Sequence, residues 1–168
     1  MNKSTKITLT VFVCLFIAVV PLYYASRPTP MQAGIALQIT GKVVNPLNFT
    51  ISQLQALQST TIQVTLTSSS RAEDNGVFNY TGISLNSLLA QANIQANATS
   101  IYVQASDGYG TTLTIQEANN PDTIIAYQKD GSPLTLLKND GEGPLRLIIG
   151  SDQYAQRWIR GAVAIIVS

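Results

Sequence analysis

The sequence predicts a β-rich α+β domain with short peripheral helices, preceded by one N-terminal transmembrane helix. Three observations carry this reading. Short apolar or alternating runs recur through residues 35–168, each bounded by turn residues such as Asp107-Gly108 and Asp130-Gly131. Helical spacing of apolar residues is confined to brief stretches. Residues 7–25, reading ITLTVFVCLFIAVVPLYYA, carry no charged side chain. That stretch is long enough to cross about 30 Å of hydrocarbon as a helix.

The N-terminal segment comes first. Lys3, Lys6 and the terminal amine precede the apolar run. This places residues 1–6 in the cytoplasm by the positive-inside rule. Tyr23 and Tyr24 lie at the outer end, where aromatic rings favour the interface, and Pro21 marks a helix exit. A cleaved signal peptide is the competing reading. A cut after Ala25 puts Tyr23 where a small residue is wanted, so an uncleaved anchor over 7–25 is preferred. Residues 26–34, with Pro28, Pro30 and Gly34, read as a tether. The expectation is a single-pass protein of the cell membrane, with residues 35–168 outside the cytoplasm.

The domain elements follow in order. Ala36–Val44 alternates Leu37, Ile39 and Val43 and reads as a strand. Ile51, Leu54 and Leu57 share one face of a short helix, capped by Thr50 or Ser52. Thr61–Thr67 alternates Ile62, Val64 and Leu66 as a second strand. Ser84–Ala92 places Leu85, Leu88, Leu89 and Ala92 on one helical face, with Ser84 as cap. Strands follow at Ser100–Ala105, Thr111–Ile115, Thr123–Tyr127, Leu145–Ile149 and Val163–Val167. Thr114-Ile115-Gln116-Glu117 has the form of a capping box and predicts a further turn of helix.

Composition excludes several functions. Charged residues are 11% of the chain, and the formal net charge is +1. Setting aside Lys3 and Lys6 leaves eight basic against nine acidic side chains, a net of −1. Such a domain has no electrostatic footprint for nucleic acid. The chain contains no histidine, which removes a Ser–His–Asp triad and the commonest metal ligand. Its one cysteine, Cys14, lies in the apolar run, so no intrachain disulfide forms. Asp140 and Glu142 lack the ligand spacing of a calcium loop. Asn48, Asn79 and Asn97 head sequons that permit N-glycosylation in a host with the machinery. Chance produces the same pattern in a chain rich in Asn, Ser and Thr.

Several runs, taken in order, carry a family resemblance. They are Tyr80-Thr81-Gly82-Ile83-Ser84-Leu85, Asp107-Gly108-Tyr109, Ile125-Ala126-Tyr127, Asp130-Gly131-Ser132-Pro133-Leu134 and Asp140-Gly141-Glu142-Gly143-Pro144-Leu145-Arg146-Leu147. Together they resemble the molybdopterin-binding domain of the sulfite oxidase family of oxidoreductases, here as a small stand-alone member. The resemblance spans roughly Leu37 to Val167 and implies a mixed-sheet domain with molybdopterin as the cofactor. In that family the molybdenum-ligating cysteine follows the strand that Thr61–Thr67 resembles. Here the stretch reads Leu66-Thr67-Ser68-Ser69-Ser70-Arg71. A serine hydroxyl has a far higher pKa than a thiol and is a poor ligand beside a dithiolene. The expectation is therefore a domain without bound molybdenum, turned to a small ligand or an envelope protein partner. A molybdopterin-dependent oxidoreductase or electron-transfer accessory subunit, and a structural cell-envelope module, are the alternatives.

The resemblance places Ser68, Ser69, Ser70, Arg71, Asp107, Tyr109 and Arg146 around a pocket. No catalytic or metal-ligating residue is assigned. Each pocket residue also has a plainer reading. The serines form a polar strand end, Arg71 is a solvated loop residue, Asp107-Gly108 makes a turn and Tyr109 packs on the sheet. Arg146 stands between apolar residues, where a buried charge needs a partner such as Asp107 or Glu142. Trp158, with Tyr154, Arg157 and Arg160, either recognises a ligand or caps the core.

Overall fold

Alternation of apolar and polar residues builds the strands. In β3 (Thr60–Leu66), Ile62, Val64 and Leu66 are buried while Thr61, Gln63 and Thr65 are exposed. A strand sends successive side chains to opposite faces, so one face of β3 meets the core. The computed structural model describes residues 34–68 and 72–168, apart from the side chain of Glu73. The 1–6 segment, the 7–25 span with Cys14, and all of the 26–34 tether except Gly34 lie outside the described residues. So do Ser69, Ser70 and Arg71. Among the described residues no helix is long and apolar enough to cross a membrane.

Two five-stranded sheets share one core. The first runs β2 (Leu47–Phe49), β1 (Leu37–Gly41), β10 (Ala162–Val167), β5 (Ser100–Ala105) and β6 (Gly110–Thr114). β1 and β10 pair in parallel, with Gln38 opposite Ala164, and the other neighbours are antiparallel. The second sheet runs β3, β4 (Gly76–Ser84) and β7 (Thr123–Lys129). Along β7, β8 (Ser132–Pro133) and β9 (Arg146–Ile149) both pair antiparallel. All four residues of β9 are buried, as are the first five of β7. The mixed sheet and the β-rich α+β class agree with the sequence reading.

The helices are short. α1 (Ile51–Ala56) starts at a reciprocal capping box in which Thr50 accepts from the Gln53 amide and Gln53 accepts from the Thr50 amide. α2 (Leu85–Ala92) is capped by Ser84 and buries Leu85, Leu88, Leu89 and Ala92. α3 (Ile115–Ala118) starts at the expected box of Thr114 and Glu117.

Four strands depart from the sequence reading, among them the two-residue β8, for which no strand was expected. The first strand stops at Gly41 instead of Val44. Gly41 has φ of +92°, and a Cβ there would lie 2.1 Å from the Val167 carbonyl oxygen. The chain turns, and Val43 makes an isolated bridge to Ile94. β2 is three residues long, too short to show a period. β4 carries Asn79 and Gly82, residues depleted in strands, and so shows no strand signature. At Gly82 the register shifts where β4 meets β7, and a Cβ would lie 2.1 Å from the Ile125 carbonyl oxygen. Close approach of two backbones demands the glycine.

Candidate functional site

Four elements bring a buried polar cluster together. Register sets Tyr80 of β4 opposite Lys129 of β7, and Ala126 of β7 opposite Arg146 of β9. The loop before β9 supplies Glu142. The Tyr80 hydroxyl donates to Glu142 Oε2 at 2.9 Å and accepts from Arg146 Nη1 at 2.9 Å. Arg146 Nη1 also lies 2.5 Å from Glu142 Oε2, and Lys129 Nζ lies 3.1 Å from Oε1. Arg146 is only 2% exposed. A charge buried this deeply requires such a partner.

Aromatic rings complete the setting. The Arg146 guanidinium carbon lies 5.6 Å from the Tyr80 ring centre and 5.4 Å from that of Trp158. The two rings meet edge to face at 86°. Cation–π attraction therefore adds to the ion pair. Arg146 Nε is buried and, among the described residues, has no hydrogen-bond partner. Trp158 donates through Nε1 to the Ile149 carbonyl at 3.0 Å. Its indole belongs to the core and also lines the cleft beside the cluster. Arg157 forks onto Asp152 at 3.0 and 2.5 Å and reaches Glu117 at 2.9 Å.

The electrostatics follow from burial. Desolvation is the largest influence on Tyr80 and pushes its phenol well above the ordinary range; Arg146 opposes this, and Glu142 adds to it. Desolvation alone would raise Glu142. Arg146 and Lys129, by charge and hydrogen bond, outweigh it and hold the carboxyl below the ordinary range.

An open cleft of about 460 Å³ shares Arg146 with this cluster. Ser68, Asp107, Tyr109 and Arg146 all line it, so four of the seven expected pocket residues share one cavity. Ser69, Ser70 and Arg71 lie outside the described residues. Ser68 follows β3, and its amide donates to Asn75 Oδ1 at 2.6 Å. Asp107 and Tyr109 sit in the β5–β6 turn, where Asp107 Oδ1 accepts from the Tyr109 amide at 2.9 Å. Arg146 pairs with Glu142, the second of the two carboxylates expected, and makes no bond to Asp107.

Sequence reasoning missed Tyr80 and Lys129 as members of the cluster, and Gln156 as a wall of the cleft. A tyrosine between polar residues carries no mark of burial until its hydroxyl has a partner. Arg160 also lines the cleft and is held by Asp74 at 2.8 Å. Asn48, Asn79 and Asn97 are all exposed.

The donor set does not fit a thiolate-bound molybdenum. The chain's only cysteine is Cys14, and it has no histidine. The described cleft residues offer hydroxyls and carboxylates in their place. Among the described residues no group of three or more acidic or cysteine side chains is gathered as a metal site. Among the described residues, both cleft guanidiniums, Arg146 and Arg160, already face carboxylates.

The fold has a solved counterpart. The sulfane dehydrogenase SoxCD of Paracoccus pantotrophus superposes with a TM-score of 0.70 at 18% identity. The alignment covers 83% of this chain and 39% of that one, so this chain spans well under half of its length. At that identity the likeness is one of fold. No curated protein sequence matches this chain. The profile of the oxidoreductase molybdopterin binding domain matches residues 25–168. That span is most of the sequence, and the chain therefore belongs to the oxidoreductase molybdopterin binding domain family.

Proposed function

We propose that this protein is a membrane-anchored, extracytoplasmic member of the family that has kept the fold and binds a small ligand or a protein partner without molybdenum. One observation carries the reading. Ser68 borders the cleft just after the strand that resembles the one before the family's metal-binding cysteine, and the stretch Leu66–Arg71 carries hydroxyls and no thiol. The absence of histidine from the whole chain supports it, and so does the pairing of both cleft arginines. Anchoring rests on the uncharged run 7–25 and the lysines before it.

Single replacements Ser68→Cys, Ser69→Cys and Ser70→Cys, expressed with the cofactor pathway, test the reading. A repurposed cleft stays metal-free in all three, because the chain lacks the histidine that the family uses toward the cofactor phosphate as well as the thiolate. Molybdenum uptake by any one of them overturns it. Protease added to intact cells should digest the domain if it lies outside the cytoplasm.

Family membership favours a second reading, a molybdopterin-dependent oxidoreductase or electron-transfer accessory that holds the pterin through other contacts.

A further inference from the structure

We propose that the cleft takes a neutral saccharide, with one pyranose ring stacked on Tyr109. This rests on the binding reading above and names the ligand class for the same site.

Tyr109 lines the cleft and is 60% exposed, yet its backbone is fixed. Its amide donates to Asp107 Oδ1, and its carbonyl accepts from the Ala105 amide at 2.8 Å. Gly108, at φ +89°, makes the tight turn between them and donates to the Ala105 carbonyl. A ring held out by a rigid turn loses little freedom when a ligand stacks on it. A tyrosine also offers an apolar face with a polar tip, which suits the C–H face and hydroxyl rim of a sugar.

The surrounding polar groups suit hydroxyls better than net charge. Arg146 and Arg160 each already face a carboxylate. Among the described residues, the Gln156 amide makes no hydrogen bond, and Asp107 uses Oδ1 alone. Arg160 gives one N–H to Asp74 and keeps others for a ligand. Mixed donors and acceptors in planar side chains match a polyol. The volume of about 460 Å³ lies in the range of small-ligand sites.

Calorimetric titration of the full chain with maltose, cellobiose and chitobiose tests this, in buffer free of sugar-based detergent. The expected result is saturable binding of at least one sugar, little changed by about 0.5 M salt. Tyr109→Ala, checked for folding by circular dichroism, should weaken it about tenfold. Co-sedimentation with insoluble chitin or amylose distinguishes a surface glycan from a free sugar, and either supports the class. The proposal is overturned if a folded protein binds none of the three, if Tyr109→Ala binds equally well, or if inorganic phosphate binds more tightly. A metal-free protein that binds no sugar overturns the ligand class alone. Stoichiometric molybdenum overturns the broader reading.

Discussion

Glu142 pairs with Arg146, a residue of the cleft wall, Oε2 to Nη1 at 2.5 Å, with the arginine almost wholly buried. Removing one partner strands the other's charge out of water. Glu142→Gln should therefore destabilise the domain by about 3 kcal/mol. Urea unfolding measures it. The double variant Glu142→Gln/Arg146→Met should recover part of the loss, because methionine leaves no charge between Tyr80 and Trp158. Additive losses in the double variant would contradict a coupled pair.

Acid should act through the same carboxylate. Glu142 titrates lower in the folded protein than in the unfolded chain, whose value is about 4.3. Its contribution is fully present above that value and is lost as pH falls through the folded value. The urea midpoint of the wild type should drop more steeply below about pH 4 than that of Glu142→Gln. Parallel curves would show that other groups dominate acid unfolding.

Alkali tests Tyr80. Burial raises its folded pKa, so the neutral phenol is favoured in the native state. That contribution is complete below the unfolded value of about 10 and is lost as pH rises through the folded value. In a tyrosinate absorbance titration one tyrosine should ionise only as the protein unfolds. Tyr80→Phe should remove that late step. A titration with all tyrosines near the ordinary value would contradict the buried hydroxyl.

Gly82→Ala probes the joint between β4 and β7. The new methyl would meet the Ile125 carbonyl oxygen at 2.1 Å and the Ala126 Cα at 2.5 Å. Backbone atoms cannot swing aside as a side chain does. A loss of about 3 kcal/mol is expected in thermal or urea unfolding. Gly108→Ala is the comparison, since nothing lies within 4 Å of a Cβ there and only its positive φ opposes the change. Its cost should be about 1 kcal/mol.

Much of the fold was legible where local chemistry decides. Ser100–Ala105 alternates cleanly, and β5 has those bounds. Thr50, Ser84 and Thr114 act as the caps their sequences announce. β4 was not legible. Its Gly82 serves a contact with β7, more than 40 residues away in sequence, and Val77 is exposed where an apolar residue suggests burial. For the cleft, Ser68, Asp107, Tyr109 and Arg146 followed from the order of family runs, with no local pattern to join them. The Tyr80–Glu142–Arg146–Lys129 cluster depends on strand register, which period alone does not supply.

The central claim is a molybdopterin-family fold without its metal. Elemental analysis with an absorbance spectrum, on the full chain purified from its native host, tests it most directly. The account predicts a colourless protein with molybdenum and tungsten far below one atom per chain. Stoichiometric metal with a pterin spectrum would contradict it and show that the fold can hold the centre without a thiolate.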